Sequence, residues 1–336
     1  MSLASLKLGT AFNLMMRTLP ILLVRLGATL VFWLIALVYF AIVGFVAYLI
    51  GQAIEILGLI IFLIGIGGMG FIYHLAYRYV FYMIKAAHIA VIAELLQHGK
   101  LPDGKSQLAF GKERVQERFG EANAMFVVDE VVSSVVRAFT GMVYNIASIL
   151  PGDTVRSIAS IVNRIIMFAT NFIDEAIMAR SFYRERESVW ENARDGVVLY
   201  AMVWKPILMN AVVLMLLSYI PFILAFVIFA APVGFIVNLF SGSAAGWTII
   251  ALLLFSWLIK VAIGDAFAMT AIIAAYHRET SDLKPDPQMA ARLDGVSDRF
   301  KDLAKKAQDS FDQKTQPKAK IAPVEFDTEE ELTDIP

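Results

Sequence analysis

The sequence predicts an all-α fold: a polytopic α-helical integral membrane protein with four transmembrane helices in two hairpins and a central pair of long amphipathic helices. Three observations carry this reading. The 336 residues are 58% hydrophobic and only 18% charged, below the roughly 25% charged content of a soluble domain. Charge is absent from residues 26–54, 56–77 and 206–259, runs that exceed the roughly 20 residues needed to cross a bilayer as a helix. Two stretches within 122–182 repeat apolar residues at helical spacing with polar residues opposite, the pattern of amphipathic helices.

The elements follow in order. Residues 1–19 form an amphipathic helix expected at the interface, ending in Arg17 ahead of Pro20. Proline in the first turn of a helix costs little, because its missing N–H has no partner there. Residues 20–92 make the first hairpin, linked at Gly51-Gln52, and 93–120 a cytoplasmic loop. The central helix pair occupies 121–185, and 186–205 forms a second interfacial helix. That helix runs from Gly196 to Lys205-Pro206 much as Gly9 runs to Arg17 and Pro20. A parallel repeat of helix and hairpin is one reading, and the common form of membrane-entry segments is the other. The second hairpin spans 206–278, interrupted by Pro221, Pro232 and the turn-like Ser241-Gly242-Ser243. In the tail, 283–336, Met289, Leu293, Val296, Phe300, Leu303 and Ala307 form a short heptad seam. The seam is expected either to dock on the protein's own helices or to join a second copy in a homo-oligomer. The acidic end, with Glu329-Glu330-Glu331, is expected to be disordered.

Charge sets the expected orientation. Neither hairpin tip, around Gly51-Gln52 or Asn238 to Gly246, carries Lys or Arg, whereas Lys7, Arg17, Arg25, Arg78, Lys85, Lys100, Lys105 and Arg184 to Arg194 flank the opposite ends. The positive-inside rule then places both termini in the cytoplasm of a bacterial-type inner (cell) membrane. The first apolar run is too long for a signal peptide and lacks a cleavage site.

The central pair holds the most informative residues. Val128, Val131, Val132, Val135, Phe139, Met142, Ile146 and Leu150 share one face of the first helix, with Glu130, Ser133, Arg137 and Tyr144 on the other. The second sets Ile158, Ile161, Val162, Ile165, Ile166, Ala169, Phe172, Ile173 and Ala176 against Ser157, Ser160, Arg164, Asn171 and Glu175. At 1.5 Å per residue each helix is roughly 37 Å long. Three arrangements remain open: flat on the interface, crossing with polar faces toward water or a second subunit, or a cytoplasmic bundle with apolar faces buried. If the pair folds about Pro151-Gly152-Asp153, Glu130 falls level with Asp174 and Glu175, and Arg137 with Arg164. A carboxylate layer and a guanidinium layer would then line a polar path or a subunit contact.

Lys260 and Asp265 lie within the last span, where ionisable groups are functional candidates. Five residues place them about 140° apart on an α-helix, so they are not expected to pair within it. His74 and His88 are 14 residues apart on one side of a helix, beside Arg78 and Lys85. Neighbouring cations disfavour a metal, and no metal or other cofactor is expected. Gly65-Ile-Gly-Gly-Met-Gly70 lacks the strand context of a phosphate-binding loop and is read as close helix packing. The chain has no cysteine, a formal net charge of −1, and no nucleophile, zinc-protease or nucleotide motif. Disulfides, thiol catalysis and a nucleic-acid partner are therefore not expected, nor is an enzyme; the lipid bilayer is the expected partner.

Over 122–282 an amphipathic helix leads to Asn171 before a polar turn, then Asn210 in a span, then a last span ending in Tyr276-His277-Arg278-Glu279. This order resembles the C-terminal half of choline transporter-like membrane proteins. That family carries more spans and a cysteine-containing outer loop, both absent here. The resemblance implies transport of a small cationic solute and assigns no binding residue. Two functional classes remain: passage of a small solute or ion along polar faces of the central helices, or a non-catalytic scaffold that shapes or organises a membrane.

Overall fold

The computed structural model describes residues 7–119, 122–148, 153–185, 187–240 and 245–315, and every regular element among them is helical. The Pro151-Gly152 turn, the Ser241-Gly242-Ser243 link and the acidic end from Gln316 lie outside the described residues, as do the side chains of Tyr144, Met142, Ile146, Leu150, Ile158 and Ile161.

Four continuous helical stretches are long and apolar enough to cross a membrane: Leu19–Ala53, Glu55–His98, Val189–Asn238 and Thr248–Thr280. Helix α1 (Leu8–Arg17) precedes α2 (Leu19–Ala53) and α3 (Glu55–Ala76), which form the first hairpin around Ile54. Glycine makes the hairpin tight. A Cβ on Gly58 would lie 2.6 Å from the Ala47 carbonyl oxygen and 2.7 Å from the Gly51 Cα. Tyr39 donates to the Gly65 carbonyl at 2.9 Å, so the glycine run packs against α2. Away from that seam the hairpin is bare: Leu37 and Ile64 are 67% and 68% exposed. A contiguous apolar surface of this kind suits hydrocarbon rather than water.

After α3 a π-turn (Tyr77–Phe81) leads into α4 (Tyr82–His98), and the surroundings change from bare to packed. Portions of three of these long apolar stretches, α4, the first half of α8 (Val189–Ser218) and α11 (Asp265–Thr280), enter a helical body with α5 (Gln107–Phe119), α6 (Ala122–Ser148) and α7 (Asp153–Tyr183). Its core includes Ile89, Ile92, Val132, Val136, Ile173, Ile177, Leu199 and Ile272, all at most 2% exposed. The described apolar faces of α6 and α7 are spent on this core, against α4, α8 and α11. Tyr276 seals its centre, donating to the Gly196 carbonyl at 2.9 Å.

Helix α8 spans the 205/206 boundary that the sequence suggested, with a kink just before it. Ser188 and Glu191 cap its start reciprocally, and Pro206 is accommodated by a kink at Val203 (φ −110°, ψ 15°). It then turns at Tyr219 into α9 (Ile220–Phe240), which pairs with α10 (Ala245–Ile259) as the second hairpin. A second π-turn (Lys260–Gly264) connects α10 to α11, so both return helices carry a π-turn at the same stage. The tail helices α12 (Pro287–Val296) and α13 (Asp298–Thr315) lie on α8 and α6, burying Leu293, Phe300, Leu303 and Ala307. Lys306 sits 4.4 Å from the Trp190 ring centroid, and the described part of the seam docks within the chain.

Candidate functional site

The polar faces of α6 and α7 meet the two hairpins around one cavity of about 530 Å³. Helix α2 contributes Arg25, Thr29, Phe32 and Trp33, and the return arm of the first hairpin contributes Tyr73, Tyr77, Phe81 and Lys85. Asp129, Ser133 and Arg137, spaced four apart on one face of α6, face Thr170, Asn171, Asp174 and Glu175 of α7. The second hairpin closes the remaining side with Trp257, Leu258 and Val261. Both π-turns therefore border the cavity, and such turns commonly aim side chains at functional sites.

Three carboxyl groups are crowded here. Glu175 is held by Lys85, Nζ to Oε1 at 2.6 Å. Ser133 donates to Asp174 Oδ2, and the Glu175 backbone N–H donates to Asp174 Oδ1 at 3.0 Å. Burial, reinforced by Asp174, raises the Asp129 carboxyl to about 7. The same two causes push Glu175 well above the usual carboxylate range, with Lys85 opposing them. Taking an acid out of water favours its neutral form, and a second carboxylate nearby adds to that.

Arg25, which lines the cavity from α2, is different. Its Nη1 is buried without a hydrogen-bond partner, although Asp265 and Glu175 lie within electrostatic range. Glu175 Oε2 is likewise buried without a partner. Both residues line the cavity, and each has one polar atom buried without a partner.

The structure places the expected site residues as follows. Asp174 and Glu175 are buried in the cavity wall, and Arg137 and Asn171 stand exposed at its rim. Glu130 and Arg164 are exposed and do not line it. The carboxylate layer is completed by Asp129, one residue before Glu130. Asp129, Arg25, Lys85 and Ser133 were not singled out from sequence. The four-residue spacing of Asp129, Ser133 and Arg137 was the available signal, because residues i, i+4 and i+8 share a helix face.

Lys260 and Asp265 require a correction. They form an ion pair within their own helix, Nζ to Oδ1 at 2.6 Å. The 140° separation assumed an α-helix, whereas Lys260–Gly264 is a π-turn, which hydrogen-bonds i to i+5 and sets residues five apart on one side. Lys260 also lies 5.1 Å and 5.2 Å from the ring centroids of Tyr219 and Trp257. The first π-turn separates the two histidines in the same way: His74 is exposed, while His88 is buried with Nε2 3.0 Å from Thr18 Oγ1. Thr18 gives its own hydrogen to the Met15 carbonyl at 2.9 Å, so Nε2–H of His88 is the donor. Among the described residues no group of three or more His, Asp or Glu is placed to hold a metal ion.

Compared with protein families, with curated proteins and with solved structures, the chain matches none. Its functional reading stands on the geometry of the cavity.

Proposed function

We propose that the chain is an inner-membrane protein that takes a small charged solute or ion into this cavity and passes it along the polar faces of α6 and α7. The observation that carries the proposal is the cavity itself. Its volume, about 530 Å³, lies within the roughly 300–1,000 Å³ of small-ligand sites, and it combines crowded carboxyl groups with an unpartnered guanidinium. Ionisable groups at the level of spanning helices are costly and are kept where they serve a solute or an ion. On this reading the two hairpins cross the bilayer, the helical body lies on the cytoplasmic side with both termini, and the cavity opens at the inner face.

One observation favours a membrane scaffold as the second reading. Beyond the level of Arg25 and Thr29 the first hairpin is bare of charge as far as Glu55, so a polar route through the outer half is not built into that hairpin. Proteoliposomes containing the full chain separate the two. Uptake of labelled glycine, inorganic phosphate and potassium is measured for wild type, Arg25→Gln and Glu175→Gln. Passage predicts uptake of at least one probe, reduced roughly tenfold or more in a variant, which corresponds to about 1.4 kcal/mol or more. No uptake of any probe, with vesicles tubulated or clustered, supports the scaffold instead.

A further inference from the structure

We infer that the solute of this cavity is the phosphoethanolamine headgroup of an aminophospholipid, its phosphate on Arg25 and its primary ammonium between Glu175 and Asp129. The inference rests on the cavity being a binding site, as proposed above, and names its ligand class.

Two unpaired atoms define the ligand. Arg25 Nη1 is a buried donor without an acceptor, and Glu175 Oε2 a buried acceptor without a donor. Buried polar groups left unpaired are costly, and such exceptions call for a missing partner. The two do not satisfy one another, since neither atom has a hydrogen-bond partner; Lys85 engages Glu175 only through Oε1. A ligand that satisfies both must carry an oxyanion at one end and an N–H donor at the other. A planar guanidinium matches the oxygens of a phosphate. At the donor end a primary ammonium supplies the N–H that a quaternary ammonium cannot give to a carboxylate.

The surroundings select a lipid over a free zwitterion. Arg25 lies in a helix long and apolar enough to span a membrane. Among the described residues α2 and α3 are not extensively packed against α9 or α10; the hairpins meet chiefly where α2 touches the Lys260–Gly264 π-turn. Between them Trp33, Tyr73 and Trp257 line the cavity and are 40%, 51% and 48% exposed. Trp and Tyr favour the headgroup level of a bilayer. A free amino acid shares the two charges but makes no use of an apolar cleft.

The test is lipid retention by the purified full chain, read by native mass spectrometry. The protein is exchanged into an equimolar mixture of phosphatidylethanolamine, phosphatidylcholine and phosphatidylglycerol with identical acyl chains. The expected result is one retained phosphatidylethanolamine, favoured roughly tenfold or more over each competitor, a difference of about 1.4 kcal/mol. Arg25→Gln and Glu175→Gln should abolish that preference. Tyr73→Ala, which leaves every charge in place, should weaken lipid retention, and melting temperatures of all variants report folding. A second arm titrates free O-phosphoethanolamine and glycine into lipid-stripped protein. Equal retention of the three lipids, or free zwitterions binding as tightly as the lipid, overturns the lipid assignment and leaves the binding-site reading intact. Failure of both arms overturns the two together.

Discussion

Lys260 and Asp265 lie five residues apart in sequence and pair at 2.6 Å in space. That contact exists because the helix between them is wound as a π-turn, which brings residues five apart to one side and lets them pair. With 10% and 18% side-chain exposure the pair lies between surface and core. Its coupling should fall between the ~1 kcal/mol of a surface pair and the ~3–5 kcal/mol lost on breaking a buried one. A double-mutant cycle of Lys260→Met and Asp265→Asn, scored by thermal unfolding in detergent, measures it. Strict additivity would contradict the pairing.

The Asp129 carboxyl makes stability depend on pH. Its raised value, about 7, reflects burial first and Asp174 second, with Lys85, Tyr82 and Arg137 opposing; Glu175 shares the layer. A carboxyl raised in the folded state stabilises it while protonated. That contribution is full below about pH 4 and is lost as pH rises through about 7. The melting temperature should therefore fall between about pH 5 and about pH 8, and Asp129→Asn should flatten the fall. Glu175, shifted the same way, keeps some of the slope in the variant. An unchanged slope would show that Asp129 titrates normally.

Arg118 fastens the connection between α7 and α8. Its guanidinium donates to the carbonyls of Ser181 at 2.6 Å, Arg184 at 3.1 Å and Glu185 at 3.0 Å, and also to that of Glu187. A lysine cannot reproduce this fork. Arg118→Lys and Arg118→Ala should both speed trypsin cleavage near Arg184, with each lost charge-assisted hydrogen bond worth about 1.5–3 kcal/mol. Equal cleavage rates in wild type and variants would remove the staple.

Two glycines of one helix should respond differently to the same substitution. Gly58→Ala forces a Cβ against the backbone of Ala47 and Gly51, whereas Gly70→Ala adds one where nothing lies within 4 Å. Overpacking typically costs about 1–3 kcal/mol. Gly58→Ala should lower the melting temperature while Gly70→Ala leaves it unchanged or raises it slightly. The reverse order would contradict the α2–α3 packing.

Long apolar runs were legible because a helix uncharged for more than 20 residues has few alternatives. The amphipathic faces of α6 and α7 were equally readable, and Val128, Val132, Val135, Phe139, Ala169, Ile173 and Ala176 are all buried. What escaped was local winding and rotation. A count of 100° per residue fails across each π-turn, which hid the Lys260–Asp265 pair and separated His74 from His88. Glu130 and Asp129 are adjacent in sequence but a helical step apart, and only the fold decides which faces α7. Arg25 and Lys85 read only as flanking cations that set the orientation, because nothing local announces that α6 and α7 will fold over them.

The orientation of the cavity is the most direct test of the whole account. The chain has no cysteine, so a single thiol at the exposed rim residue Asn171 reports without background. Asn171→Cys is exposed to a membrane-impermeant maleimide in inside-out and in right-side-out vesicles. The account predicts labelling from the inner face only. Labelling from the outer face, or from neither with the protein folded, would contradict a charged cavity open to the cytoplasm.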